Sequence, residues 1–112
     1  MTNNTPLKNL DHIFEALASK HRRAIVHLVS LQPFAIHELA KQRKLSLPAI
    51  YKHIKVLEKA GLVIRRKTGK TNYLSLNRSS LQGLQAWVLQ YNAFWGNNSE
   101  TLANYTNYLD KK

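Results

Sequence analysis

The chain has 112 residues, 17 Lys or Arg against 6 Asp or Glu for a formal charge of +11, and 44% hydrophobic residues. One domain with a real core fits these numbers, and wholesale disorder does not. Zero cysteines exclude disulfides and thiolate metal sites, no apolar run nears the roughly 18 residues of a membrane helix, and the polar start Met1-Thr2-Asn3-Asn4-Thr5-Pro6 is no signal peptide, so a soluble cytoplasmic protein is expected.

Residues 1–9 read as a flexible N-terminal arm. Leu10, Ile13, Phe14 and Leu17 then fall at i, i+3, i+4 and i+7, one stripe of an amphipathic helix. Ser19 is placed to cap a second helix with Ile25, Leu28 and Val29 inward, which Gln32-Pro33 ends. A third helix is expected over roughly Ala35 to Gln42, burying Ile36, Leu39 and Ala40. After the link Arg43-Lys44-Leu45, Ser46 is a good N-cap and Pro48 sits in a first turn that needs no proline N–H. That fourth helix carries Ile50, Ile54 and Leu57 inward and stops at Gly61, a natural C′ residue. Two short helices joined by such a link form the helix-turn-helix outline.

Leu62–Lys67 and Thr71–Leu76 flank Thr68-Gly69-Lys70 and predict a hairpin with a basic tip. Leu62 and Ile64 are expected to share its inner face with Leu74 and Leu76. From Ser79 or Ser80 the chain reads as one long helix. Leu81, Leu84, Val88, Tyr91, Trp95, Leu102, Tyr105 and Leu109 follow a heptad-like spacing, with a bend or break expected at Gly96-Asn97-Asn98-Ser99. The organisation is therefore a core over residues 10–78 and a terminal helix over 79–112, within a single domain.

The charge is confined to that core. Fourteen basic and two acidic residues between Lys20 and Arg78 give +12, while three basic and four acidic residues elsewhere give −1. On the fourth helix Pro48, Tyr51, Lys52, Lys55 and Lys59 share one face, opposite the apolar one. Such a face fits a major groove about 12 Å wide, where lysine bonds guanine edges and phosphates. An ordinary solvated lysine face is the bland alternative. The cap, the helix-turn-helix spacing and the adjoining basic hairpin together favour double-stranded DNA.

The run Glu38-Leu39-Ala40 and then Leu45-Ser46-Leu47-Pro48-Ala49-Ile50-Tyr51-Lys52-His53-Ile54-Lys55-Val56-Leu57-Glu58-Lys59-Ala60-Gly61-Leu62-Val63 closely resembles the ArsR family of winged helix-turn-helix repressors. Ala16-Leu17-Ala18 with Arg22-Arg23 resembles the family's opening helices, and Arg65–Lys70 its wing. The resemblance covers about Leu10 to Trp95 and is greatest to a branch without metal-sensing cysteines. It implies a mostly helical winged fold, ααααββα, that dimerises through its first and last helices on an inverted-repeat operator. It places Ser46 and Lys55 on the DNA backbone, and Leu47, Pro48, Tyr51 and Lys52 toward bases. Arg22 and Arg23 would lie near phosphates, and Arg66, Lys67 and Lys70 on the wing would reach minor groove or backbone. Tyr51 replaces a usual small serine and Leu47 a frequent polar residue, so base preference does not transfer.

The apolar seam supplies the expected homodimer interface: Leu10, Phe14, Leu84, Val88, Tyr91, Trp95, Leu102 and Tyr105. The aromatic stripe Trp87, Tyr91, Phe94, Trp95, Tyr105 and Tyr108 is alternatively a pocket for an aromatic effector of unknown identity. No metal site or cofactor is expected. Ala35-Ile36-His37 stands where the sensing cysteines would be, and His12, His21, His27, His37 and His53 are never three or four apart. An unrecognised metal- or small-molecule-responsive site, a sequence-neutral architectural role and a protein-interaction adaptor are the rival readings. Membrane-surface binding fits poorly, because basic and apolar stripes lie on different elements. No phosphate loop, nucleophile elbow or carboxylate pair supports an enzyme.

Overall fold

The computed structural model describes residues 4–91 and 97–111, with side chains from residue 10 onward. The elements run α1 (Asn4–Leu17), α2 (Lys20–Leu31), β1 (Phe34–Ala35), α3 (Ile36–Arg43), α4 (Leu47–Lys59), β2 (Val63–Thr68), β3 (Thr71–Leu76), α5 (Arg78–Leu89) and α6 (Asn98–Asp110). The chain forms two compact units, Met1–Leu81 and Gln82–Lys112.

In the first unit each helical boundary has a local cause. Helix α1 starts at Asn4, so residues 4–9 are largely helical and not an arm; Pro6 lies in the first turn, where no intrahelical N–H is lost. Ser19 accepts from the Arg22 N–H at 3.3 Å and Ser46 from the Ala49 N–H at 3.3 Å, capping α2 and α4. The Ala35 N–H donates to Glu38 Oε1 at 3.1 Å, which secures the start of α3. Both α3 and α4 end in a Schellman motif. Leu62 N–H reaches Leu57 O at 3.0 Å around Gly61, and Leu45 N–H reaches Ala40 O at 2.9 Å around Lys44. Gly61 and Lys44 hold φ of +74° and +55°, so a lysine occupies a left-handed position that favours glycine.

Ile13, Ile25, Ile36, Leu39, Ile50, Ile54, Leu57, Leu62 and Leu74 are the large fully buried side chains. Each contributes about 1.5–3 kcal/mol of apolar transfer energy relative to exposure. They come from α1, α2, α3, α4, strand β3 and the residue just ahead of β2, so the helix-turn-helix is fixed from behind by its own apolar faces.

The sheet has three antiparallel strands in the order β1-β3-β2. Phe34 and Ala35 pair with Leu74 and Tyr73, adding a two-residue strand with no periodic signature in the sequence. In the hairpin Val63 pairs with Leu76 and Arg65 with Leu74, so Val63 faces inward and Ile64 outward, 41% exposed. The expected pairing of Leu62 with Ile64 on one inner face is therefore incorrect. Leu62 is buried ahead of the strand, and the period of two starts at Val63.

The single long terminal helix is corrected to separate helices. Helix α5 starts at Arg78 and ends at Leu89, with Gln90 and Tyr91 in a turn. Asn97 then caps α6, accepting from the Glu100 N–H at 2.8 Å while its amide donates to Glu100 Oε1 at 2.8 Å. Helix α5 thus ends at Leu89, ahead of the expected Gly96–Ser99 interruption, while α6 starts inside that stretch at Asn98; Phe94, Trp95 and Gly96 lie outside the described residues. Trp87 and Tyr91 meet edge to face, with centroids 5.1 Å apart.

Candidate nucleic-acid interface

Helix α4 separates its two chemistries by face. Ile50, Ile54 and Leu57 are wholly buried, while Ser46, Leu47, Pro48, Lys52, Lys55 and Lys59 are exposed and Tyr51 is half-buried. The outward residues are those the sequence places on DNA. Leu47, the first residue of the helix, is 48% exposed despite its apolar side chain.

The wing follows directly. Strands β2 and β3 pair to Thr68 and Thr71, leaving a two-residue loop of Gly69 and Lys70. Gly69 has φ +63°, the first position of a II′ turn whose twist suits a hairpin. Arg66, Lys67 and Lys70 are all exposed. Arg66 and Lys67 are neighbours in a strand and point to opposite faces. Arg66 shares the outer face with Pro33, Ile64, Tyr73 and Ser75, lining a groove of about 590 Å³.

Arg22 and Arg23 behave differently from the other predicted contacts. Arg22 donates from Nε to Ala16 O at 2.8 Å and from Nη2 to Glu15 O at 3.1 Å, while Arg23 Nη1 donates to Leu17 O at 2.9 Å. Both guanidinium groups therefore bind carbonyls of the last turn of α1, where cations are favoured. The structure does not bring them to the α4 face as free charges. Arg22 Nη1 also lies 3.3 Å from His53 Nδ1.

His53 belongs to a cluster that the sequence does not reveal. Its ring centroid is 5.5 Å from that of His21, whose Nδ1 accepts from Arg43 Nε at 3.2 Å. Burial, the Arg22 charge and His21, in that order, hold the His53 pKa below its ordinary value. Each imidazole Nδ1 thus faces a guanidinium, His53 that of Arg22 and His21 that of Arg43. A cation flanked by two arginines is disfavoured there, and among the described residues no group of three or more His, Cys, Asp or Glu is placed to hold a metal.

Arg65 and Glu58 are the other residues missing from the sequence-based site. Arg65 Nε and Nη2 donate to Glu58 Oε2 and Oε1 at 3.1 and 2.8 Å, and Arg65 Cζ lies 5.2 Å from the centre of the Tyr51 ring. Their side chains are 31% and 32% exposed, so the ion pair itself adds at most about 1 kcal/mol. The available sequence signal was weak: opposite charges on either side of the Gly61 turn.

A family model described as a helix-turn-helix domain matches residues 17–66. The HTH-type transcriptional regulator Rv2034 of Mycobacterium tuberculosis is 33% identical over 102 residues, 91% of this chain and 90% of that protein. The crystal structure of an ArsR family transcriptional regulator, RHA00566, matches at 31% identity with a TM-score of 0.73, over 81% of this chain and 94% of the other. The chain belongs to the ArsR family. The transcriptional repressor SdpR of Bacillus subtilis is similar as well, 27% identical over 73% of this chain and 91% of its own length. This ArsR-family protein is thus a transcriptional regulator with a helix-turn-helix DNA-binding domain, not an enzyme. Among the described residues no helix is long and apolar enough to cross a membrane.

Proposed function

We propose that the protein is a cytoplasmic homodimeric repressor that reads an inverted-repeat operator with one α4 from each protomer. The observation that carries this reading is the α4 face: Leu47, Pro48, Tyr51 and Lys52 project outward from a helix whose other side is wholly buried. Ser46 and Lys55 flank that face for backbone contact, and Arg66, Lys67 and Lys70 extend the same role to the wing. Arg22 and Arg23 act one step back, ordering the α1–α2 junction.

Dimerisation is supported by large apolar side chains left open in each unit. Phe14 is 44% exposed on α1, and Val88, Tyr91, Leu102 and Tyr105 are about half or more exposed on and around α5 and α6. Leu10 and Leu84 are half-buried beside them in sequence. Surfaces of this kind mark an interface. A homodimeric winged helix-turn-helix domain, Mb0332 of Mycobacterium bovis, is similar in fold at 19% identity, with a TM-score of 0.63.

The test is selection of bound sequences from random DNA at fixed salt. An enriched inverted repeat with half-site centres about 10–10.5 bp apart, or a multiple of that, is expected. A pool with no enriched motif refutes base reading and favours a sequence-neutral role. Sedimentation of the free protein should give a dimer, and Leu102→Glu with Tyr105→Glu a monomer; a monomeric wild type overturns the two-fold arrangement.

A further inference from the structure

Arg65 begins the basic run of β2, yet its guanidinium turns back onto α4. Two of its N–H groups hold the Glu58 carboxylate at 2.8 and 3.1 Å, and its carbon lies 5.2 Å from the Tyr51 ring centre. Tyr51 and Glu58 are seven residues apart, two helical turns on one side of α4. The guanidinium thus lies along the helix, fastened at one end to a carboxylate and covering the aromatic ring at the other. A bidentate fork fixes orientation in a way a single bond cannot.

We propose that Arg65 is a positioning residue for base recognition, holding Tyr51 in one orientation and so setting base preference at one or two base pairs of each half-site. This rests on the α4 face reading DNA as described above. A tyrosine hydroxyl both donates and accepts, so a ring free to turn bonds several base edges indifferently. A ring held from one side presents one geometry. The ion pair is too exposed to serve mainly as a stabiliser, and its charges cancel, so Arg65 adds little to phosphate attraction. Its placement also ties the base of the wing to the recognition helix, so the two reading elements keep one spacing.

The experiment repeats the selection from random DNA with wild type, Arg65→Lys, Arg65→Gln, Glu58→Gln and Tyr51→Ala, alongside thermal melts. Tyr51→Ala identifies the positions the ring reads. At those positions mismatch discrimination, about five- to a hundredfold per base pair in specific complexes, should fall to within about threefold in each Arg65 and Glu58 variant. The rest of the motif should persist. Arg65→Lys is decisive: it keeps the charge, so binding to random DNA stays within about twofold, but it lacks the planar fork. A wild-type motif in Arg65→Lys and Glu58→Gln overturns the proposal. So does a Tyr51→Ala motif that is unchanged, or a loss spread evenly over all positions with a lowered melting temperature. Failure of the underlying DNA reading looks different, because wild type itself then enriches nothing.

Discussion

The ends of α3 and α4 have the same hydrogen-bond pattern but opposite residues at the left-handed position, and exchanging those residues tests how the helix-turn-helix is held. Gly61 sits at φ +74° and Lys44 at φ +55°. A left-handed backbone costs an L-residue about 1–2 kcal/mol. Gly61→Ala imposes that cost and recovers about 0.4–1 kcal/mol from a stiffer unfolded chain, leaving a net loss near 1 kcal/mol. Steric crowding adds nothing, since the nearest heavy atom to a new Cβ is Ser80 Cβ at 4.0 Å. Lys44→Asn works in reverse: asparagine tolerates the left-handed region without the entropy cost of glycine, for a gain of about 0.5–1 kcal/mol. For a domain of this size the midpoint should fall by about 4–8 °C in Gly61→Ala and rise by about 2–6 °C in Lys44→Asn. Circular dichroism melts at equal protein concentration measure both, because association shifts the midpoint. A neutral Gly61→Ala refutes the backbone argument. A destabilised Lys44→Asn shows that the lysine stem contributes more than its strain costs.

Arg22→Met should cost about 1–3 kcal/mol in urea unfolding, because the Glu15 and Ala16 carbonyls and His53 Nδ1 all lose a donor; Arg22→Lys should recover little, since one ammonium does not span three acceptors. His53 has a native pKa below its unfolded value of 6.5, so the unfolded state binds the proton more readily. Stability is therefore full above pH 6.5 and declines as pH drops from there toward the lowered native value. His53→Gln should flatten that decline in melts between pH 7.5 and 5, and an unchanged slope places the effect elsewhere. On DNA, Lys52→Ala should weaken operator binding far more than random binding, measured by competition. Lys70→Ala should weaken both alike and reduce the salt slope of the dimer by about two, one for each protomer's Lys70; an unaltered slope removes Lys70 from the phosphate contacts.

Features set by neighbours in sequence were legible before the structure. Ser19, Ser46 and Gly61 mark helix ends through bonds within three to five residues, and Ile50, Ile54 and Leu57 declare a face by spacing alone. Features set by distant partners were not. Strand β1 is two residues long and exists because Phe34 and Ala35 meet Leu74 and Tyr73. Ile64 fell on the wrong face because the strand starts one residue later than its apolar run. The same division explains the basic residues. All eight lysines between Lys20 and Arg78 are exposed, whereas Arg22, Arg23, Arg43 and Arg65 each donate to carbonyls, a carboxylate or an imidazole within the protein. A planar fork satisfies paired acceptors, and a hydrated ammonium does not, so arginines are drawn into the fold and lysines remain outside. Sequence charge alone therefore overstates the phosphate-binding surface. The salt dependence of DNA binding should scale with the exposed residues Lys52, Lys55, Arg66, Lys67 and Lys70 of each protomer, not with the net charge of the chain.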